Sequence, residues 1–153
     1  MNVDHAKTLE RVYQLFRTCP DPAAREKGEG WSVKEILGHL VDSVSNNHQR
    51  LVRYLPQGHL NYPSYDQEQC VKRSDYQSFD FDLLLALWYS YNKLLLRLIA
   101  GIPAADLDST VSIGDKPPVT LRQLIPDYFA HMENHEQQAR RFMAGLTRKS
   151  TLQ

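Results

Sequence analysis

The stretch Leu121–Met143, LRQLIPDYFAHMENHEQQARRFM, decides the fold. Its positions Leu121, Leu124, Tyr128, His131, His135, Gln138 and Phe142 alternate steps of three and four, the spacing of one stripe along an α-helix. Two histidines therefore fall one turn apart on the stripe expected to face inward. Side chains at i and i+4 can converge on one point, which is the demand a divalent metal makes of a helix. The same pair would also serve as half-buried packing side chains, so a third ligand is needed to give the metal reading weight. Thr120 opens this helix with Gln123 in the capping-box position, and Val119 faces Leu124 as a staple. Pro126 lies past the first turn and should bend the helix about a turn before His131. The tail after Ala144 is polar and expected to fray.

Moving upstream, FDFDLLLALWYSYNKLLLRLIAG is the most apolar element, with Ser78 or Asp80 as cap and Gly101 at the C-terminus. Its apolar residues wrap more than one face, so heavy burial is expected, with Trp88, Tyr89 and Tyr91 as packing residues. Between it and the last helix, IPAADLDSTVSIGDKPPVT reads as an excursion with a hairpin turn at Gly114–Asp115. Before it, QGHLNYPSYDQEQCVKRSDYQS has no sustained period. A loop of roughly twenty residues is long for a compact domain and argues for a functional or crossover connection. It would leave the helices it joins parallel.

The helix before that loop begins at a capping box, Ser32 with Glu35, flanked by Trp31 and Ile36 as a staple. Its apolar face runs through Val33, Ile36, Leu37, Leu40, Val44, Leu51 and Leu55, and it ends near Pro56. Gly38 inside it lowers helix propensity by about 1 kcal/mol relative to alanine. Close helix contact or access to His39 would explain it. A first helix, capped by Asn2 or Asp4, carries Val3, Ala6, Leu9, Val12 or Tyr13, and Phe16, and stops before Pro20 and Pro22. The polar linker CPDPAAREKGEG follows. Four helices, at about 3–18, 32–55, 79–100 and 120–144, with one long connection and no convincing central strand, make an all-α four-helix bundle spanning residues 1–153 as one domain.

The chain has 153 residues, with Lys+Arg 18 against Asp+Glu 18. That balance gives no whole-chain field for nucleic acid or an anionic membrane. The longest apolar clusters, such as LLLALW, fall short of a membrane span. The charged, amphipathic N-terminus does not read as a signal peptide. Cys19 and Cys70 form no CxxC pair, so a reducing, cytoplasmic setting is the economical expectation.

Two histidines of the second helix compete to be the third ligand. Periodicity alone prefers His48, inside the apolar arc, while His39 lies on a flank. His5 and His59 sit near a terminus and in a loop. At this point the motifs Trp31-Ser32-x-x-Glu35-x-x-x-His39-Leu40-x-Asp42-Ser43 and Tyr128-x-x-His131-x-x-x-His135-x-x-Gln138 resemble the DinB and YfiT-like superfamily of metal-binding four-helix bundles. The resemblance implies an up-down-down-up connectivity and one divalent metal held by His39, His131 and His135. His48, about 13 Å along the helix axis, cannot share that metal and is left as a packing or pocket-edge residue.

Imidazole ligands suit zinc or nickel, with iron also admissible. An open position would support hydrolysis or ionisation of a thiol. The resemblance implies a metal-dependent transferase using a low-molecular-weight thiol, or a hydrolase, acting on a small molecule. A non-catalytic metal- or small-molecule-binding bundle is the rival. Asp42, one turn beyond His39, is a candidate to orient a ligand ring or a water. Gln138 is expected to bond across the bundle, and Glu133, Asn134 and Glu136 to be solvated. The excess hydrophobicity of the third helix would suit a homodimer.

Overall fold

The computed structural model describes residues 4–25 and 30–151; Asn2, Val3, the linker residues 26–29 and the last two positions lie outside them. The bundle helices are α1 (His5–Arg17), α2 (Val33–Val52), α4 (Phe81–Ala100) and α5 (Leu121–Thr151). Asp4 caps α1 through Lys7 N, Asp80 caps α4 through Leu83 N, and the Ser32–Glu35 capping box is formed in both directions. Thr120 and Gln123 exchange the equivalent pair of bonds at the start of α5, at 3.0 and 3.3 Å. Here local side-chain chemistry sets the helix starts. The last helix runs on to Thr151 rather than ending near residue 144.

The connection after α2 is more structured than its sequence suggests. It contains β1 (His59–Tyr62) and a short helix α3 (Gln67–Ser74), capped by Asp66 and ended by Asp75 in the left-handed conformation. After α4 come β2 (Thr110–Ile113) and β3 (Val119–Thr120), paired antiparallel around a turn where Gly114 has φ +58°. β1 pairs with β2 in parallel, and the three make a small sheet beside the bundle. A parallel pair needs a long crossover between its strands. Here it shows that α2 and α4 deliver their C-termini to the same end.

Side-chain pairs fix the remaining directions. Tyr13 meets Tyr89, Phe16 meets Trp88 and Glu10 meets Lys93, so α1 is antiparallel to α4. His5 stacks on Phe129 while Arg11 reaches Glu136, so α1 and α5 are parallel. The order is up-down-down-up.

The core joins Leu9, Val12 and Phe16 of α1 to Leu37, Leu40 and Val44 of α2, Trp88 and Leu95 of α4, and Ile125, Phe129 and Met132 of α5. Two expectations fail here. First, α4 is not heavily buried: Leu83, Leu87 and Leu94 are about half exposed. By length and composition it is also long and apolar enough to cross a membrane. Second, the α5 stripe is buried at Leu121, Leu124 and Tyr128 as expected, but beyond them the buried line runs through Phe129, Met132, Glu136 and Ala139, which turns His131, His135 and Gln138 onto its flank. Glu136 is buried rather than solvated, because Arg11 donates to it at 3.0 Å and Arg140 at 2.8 Å. Burial alone would raise its pKa; the two guanidinium bonds outweigh that and hold it low.

Candidate metal centre

The flank of α5 that carries the histidines faces the first turns of α2. His39, 1% exposed, points its Nε2 to within 3.1 Å of His131 Nε2, and His135 Nε2 reaches the same atom at 3.1 Å. One nitrogen from each ring lies within 4.8 Å of the other two. The ring planes cross at 64–79°, so the three imidazoles point edge-on at a common centre. Tetrahedral coordination with bonds of about 2.0–2.1 Å separates ligand nitrogens by roughly 3.3 Å. A cluster of three nitrogens at these distances has too few protons for mutual hydrogen bonding to satisfy it, whereas a cation satisfies all three. The donor set fits one divalent metal.

The rest of each ring is held unevenly. Gln138 Oε1 accepts from His135 Nδ1 at 2.8 Å, which fixes the tautomer that leaves Nε2 free. This bond lies within α5, not across the bundle as the sequence suggests. Ser43 Oγ sits 3.4 Å from His131 Nδ1. His39 Nδ1 is buried with no partner among the described residues. The Trp31 ring covers the cluster, with its centroid 5.0 Å from that of His39 and 6.4 Å from that of His135, and its indole N–H donates to Glu68 at 3.1 Å. Trp31, in the staple position at the start of α2 and packed against the core, is also a wall of the site. A cleft of about 1120 Å³ opens beside it, lined by Trp31, Gln67, Glu68, Tyr76, His135 and Gln138 among others.

Asp42 is not on a ligand ring. Its Oδ1 accepts from the Tyr76 hydroxyl at 2.7 Å, and its Oδ2 is buried without a partner among the described residues. Burial raises the Asp42 pKa against the Tyr76 hydrogen bond. Ser43, four residues beyond His39, is the α2 side chain that reaches a ligand, and helical spacing alone could have nominated it. His48 lines a separate shallow cleft with Val52, Leu94 and Leu98, its ring 5.2 Å from Tyr91. His59 is on the sheet, bonded to Thr110.

Electrostatics keep the rings neutral. Burial pushes His39 down to about 3 and His131 down to about 4, each helped by the neighbouring imidazoles, and burial also lowers His135. In an unfolded chain all three titrate near 6.5. Below that pH the unfolded chain therefore binds more protons than the folded one, so folding stability falls as pH drops from about 6.5 toward the folded values. Chelator-treated protein should show a melting temperature that declines steadily between pH 7 and pH 5. The decline should be shallower in His39→Gln, measured by thermal denaturation in matched ionic strength.

The family described as the DinB superfamily matches residues 5–143 of the chain. A protein of Bacillus cereus, named as a candidate metal-dependent hydrolase, is 26% identical over 106 residues, covering 69% of this chain and 61% of its own length. A similarly named protein of Oceanobacillus iheyensis is 23% identical over the same extent. The matched part thus spans less than two thirds of these curated relatives. Among solved structures, YfiT from Bacillus subtilis, described as a candidate metal-dependent hydrolase with an unusual four-helix bundle topology, superposes with a TM-score of 0.74. That match covers 92% of this chain and 86% of YfiT, at 19% identity, and speaks for the fold.

Proposed function

The chain belongs to the DinB superfamily, and from that premise we propose that it is a divalent-metal-dependent enzyme acting on a small molecule. The observation that carries this is the convergence of three neutral imidazoles on one point beside an open cleft. When bound, a zinc or nickel ion there supplies an uncompensated double charge and an open position, able to ionise water for hydrolysis or a thiol for transfer. The chain's own residues do the rest. His39, buried at the back, fixes the depth of the site. His131 and His135 close it from α5, and Gln138 holds the His135 tautomer. Trp31 excludes solvent from one side and offers an aromatic face to a substrate entering the cleft.

One observation favours the thiol as nucleophile. Among the described residues no carboxylate contacts a ligand histidine: Glu35 is spent on the helix cap and on Arg25, Glu68 on Trp31, and Asp42 on Tyr76. Activating water for hydrolysis usually enlists a nearby base, whereas a metal ionises a thiol outright.

The test is to load the protein with zinc or nickel and assay two reactions. One is hydrolysis of small esters and amides; the other is addition of low-molecular-weight thiols to a chromogenic electrophile. Metal-dependent turnover in the second assay, absent in His131→Ala, is the expected result. Turnover confined to the first would select the hydrolase. A loaded protein inert in both, across several thiols and electrophiles, would favour the non-catalytic binding bundle.

A further inference from the structure

The face of α2 that carries His39 continues through Ser43, Asn47 and Arg50, at steps of four, four and three. All four are buried, Arg50 to 7% exposed. A buried arginine is ordinarily matched by a carboxylate, because taking the cation out of water is costly unless it is paired. Arg50 has no such match. Its Nε has no hydrogen-bond partner, its Nη1 makes one long bond to Asn47 Oδ1 at 3.4 Å, and no ion pair includes it among the described residues. The acid nearest on the helix, Asp42, is engaged by Tyr76 instead. Beside the guanidinium lies an aromatic ring, the Tyr62 centroid being 5.4 Å away. A second guanidinium, Arg53, flanks Tyr62 at 6.0 Å, so this corner is positive although the whole chain is neutral.

The cation also leans toward the end of α2 that carries His39. Helical side chains lean toward the N-terminus, and the Asn47 contact, three residues back, shows Arg50 doing so. Asn47 spans the interval. Its Oδ1 accepts from Arg50, its Nδ2 donates to the Ser43 carbonyl at 3.0 Å, and Ser43 Oγ is 3.4 Å from His131 Nδ1. Polar groups thus follow one another along this face of α2 from the histidines to the unpaired guanidinium.

We infer that Arg50, with Asn47, forms a subsite for an oxyanion, a carboxylate or phosphate, carried by the small molecule whose reacting end meets the three histidines. The planar fork of an arginine suits such a group in bidentate contact, and burial strengthens the interaction. The inference rests on the metal-site reading for what lies at the other end of the ligand, but the anion subsite itself does not require the metal.

Two arms test it. In the first, cobalt-loaded protein is titrated with ω-mercapto carboxylates from mercaptoacetate to 6-mercaptohexanoate and with the matching amides, following the thiolate absorption bands. Wild type should prefer one chain length of acid over its amide by about tenfold or more. Arg50→Met should lose that preference while keeping the wild-type cobalt content, and Arg50→Lys should keep part of it. In the second arm, metal-free protein is melted in sodium acetate or sodium phosphate against chloride at constant ionic strength. The anion that raises the melting temperature of wild type but not of Arg50→Met identifies carboxylate or phosphate. Equal binding of acids and amides, or a preference that survives in Arg50→Met, overturns the subsite. So does a large drop in the melting temperature of Arg50→Met with no anion effect in wild type, which makes Arg50 structural. Failure of cobalt uptake would sink the metal reading alone, and the second arm would still decide the subsite.

Discussion

Removal of the His131 imidazole is expected to take the bound divalent metal from close to one equivalent per chain to close to none. The comparison is between wild type and His131→Ala, both purified without a histidine tag and measured by elemental analysis. His131 is the decisive ligand because both 3.1 Å nitrogen contacts of the cluster run through it. Structural zinc sites with four ligands bind with about 10–16 kcal/mol, or roughly 3 kcal/mol per ligand. Losing one of three would therefore weaken binding by more than about a hundredfold. The fold should survive, since the ring lies on the flank of α5 and not among its fully buried residues. Circular dichroism of the variant should match wild type. Metal bound equally well by a folded His131→Ala would mean that the three nitrogens are only neighbours. The enzyme reading would then lose its basis.

How far this site could be read in the sequence depends on what helical spacing encodes. The i, i+4 relation of His131 and His135 is intrinsic to one helix, and so are the caps at Ser32, Asp80 and Thr120; all are local and all were legible. Which arc of a helix meets the core is not local. On α5 two stripes overlap, one through His131 and His135 and one through Met132 and Glu136, and the charge of Glu136 argues against the second. The structure buries Glu136 because Arg11, from the other end of the chain, neutralises it together with Arg140. That partnership has no signature in the α5 sequence.

The same limit applies to α2. Its apolar period points to His48, and the resemblance, not the period, directed attention to His39. In the structure His39 is the one joined to the α5 pair, while His48 borders a different cleft. The long connection was legible as a crossover, but β1 and α3 within it were not. Four and eight mostly polar residues are too few to show a period, and the strand exists only through its pairing with β2, some fifty residues away. On α4 the failure runs the other way. Hydrophobicity predicts burial there, yet Leu83, Leu87 and Leu94 stay about half exposed.

Gly38→Ala should destabilise the protein, although alanine is the better helix former by about 0.8–1.0 kcal/mol. A Cβ on Gly38 would lie 2.2 Å from two ring carbons of Tyr76 and 2.8 Å from its Cβ. These are not the free end of a flexible side chain. The ring is seated on the α2 backbone by the bond from its hydroxyl to Asp42 Oδ1 at 2.7 Å. Displacing it would leave Asp42 with neither oxygen paired, since Oδ2 already lacks a partner. Overpacking costs about 1–3 kcal/mol and an orphaned buried polar group about as much. Set against the gain in propensity, a net loss of about 3 kcal/mol is expected, lowering the melting temperature by about 6–12 °C. The mechanism predicts a change of sign that a general intolerance of substitution would not. With Tyr76→Gly in place, all three colliding atoms are gone, and the conformational cost of the new glycine appears on both sides of the comparison. Gly38→Ala made in that background should be stabilising, by up to about 1 kcal/mol. If it remains destabilising there, the glycine is required by something other than the Tyr76 ring. If Gly38→Ala stabilises the wild-type protein, the ring does not rest on α2 as described, and this wall of the cleft must be rebuilt.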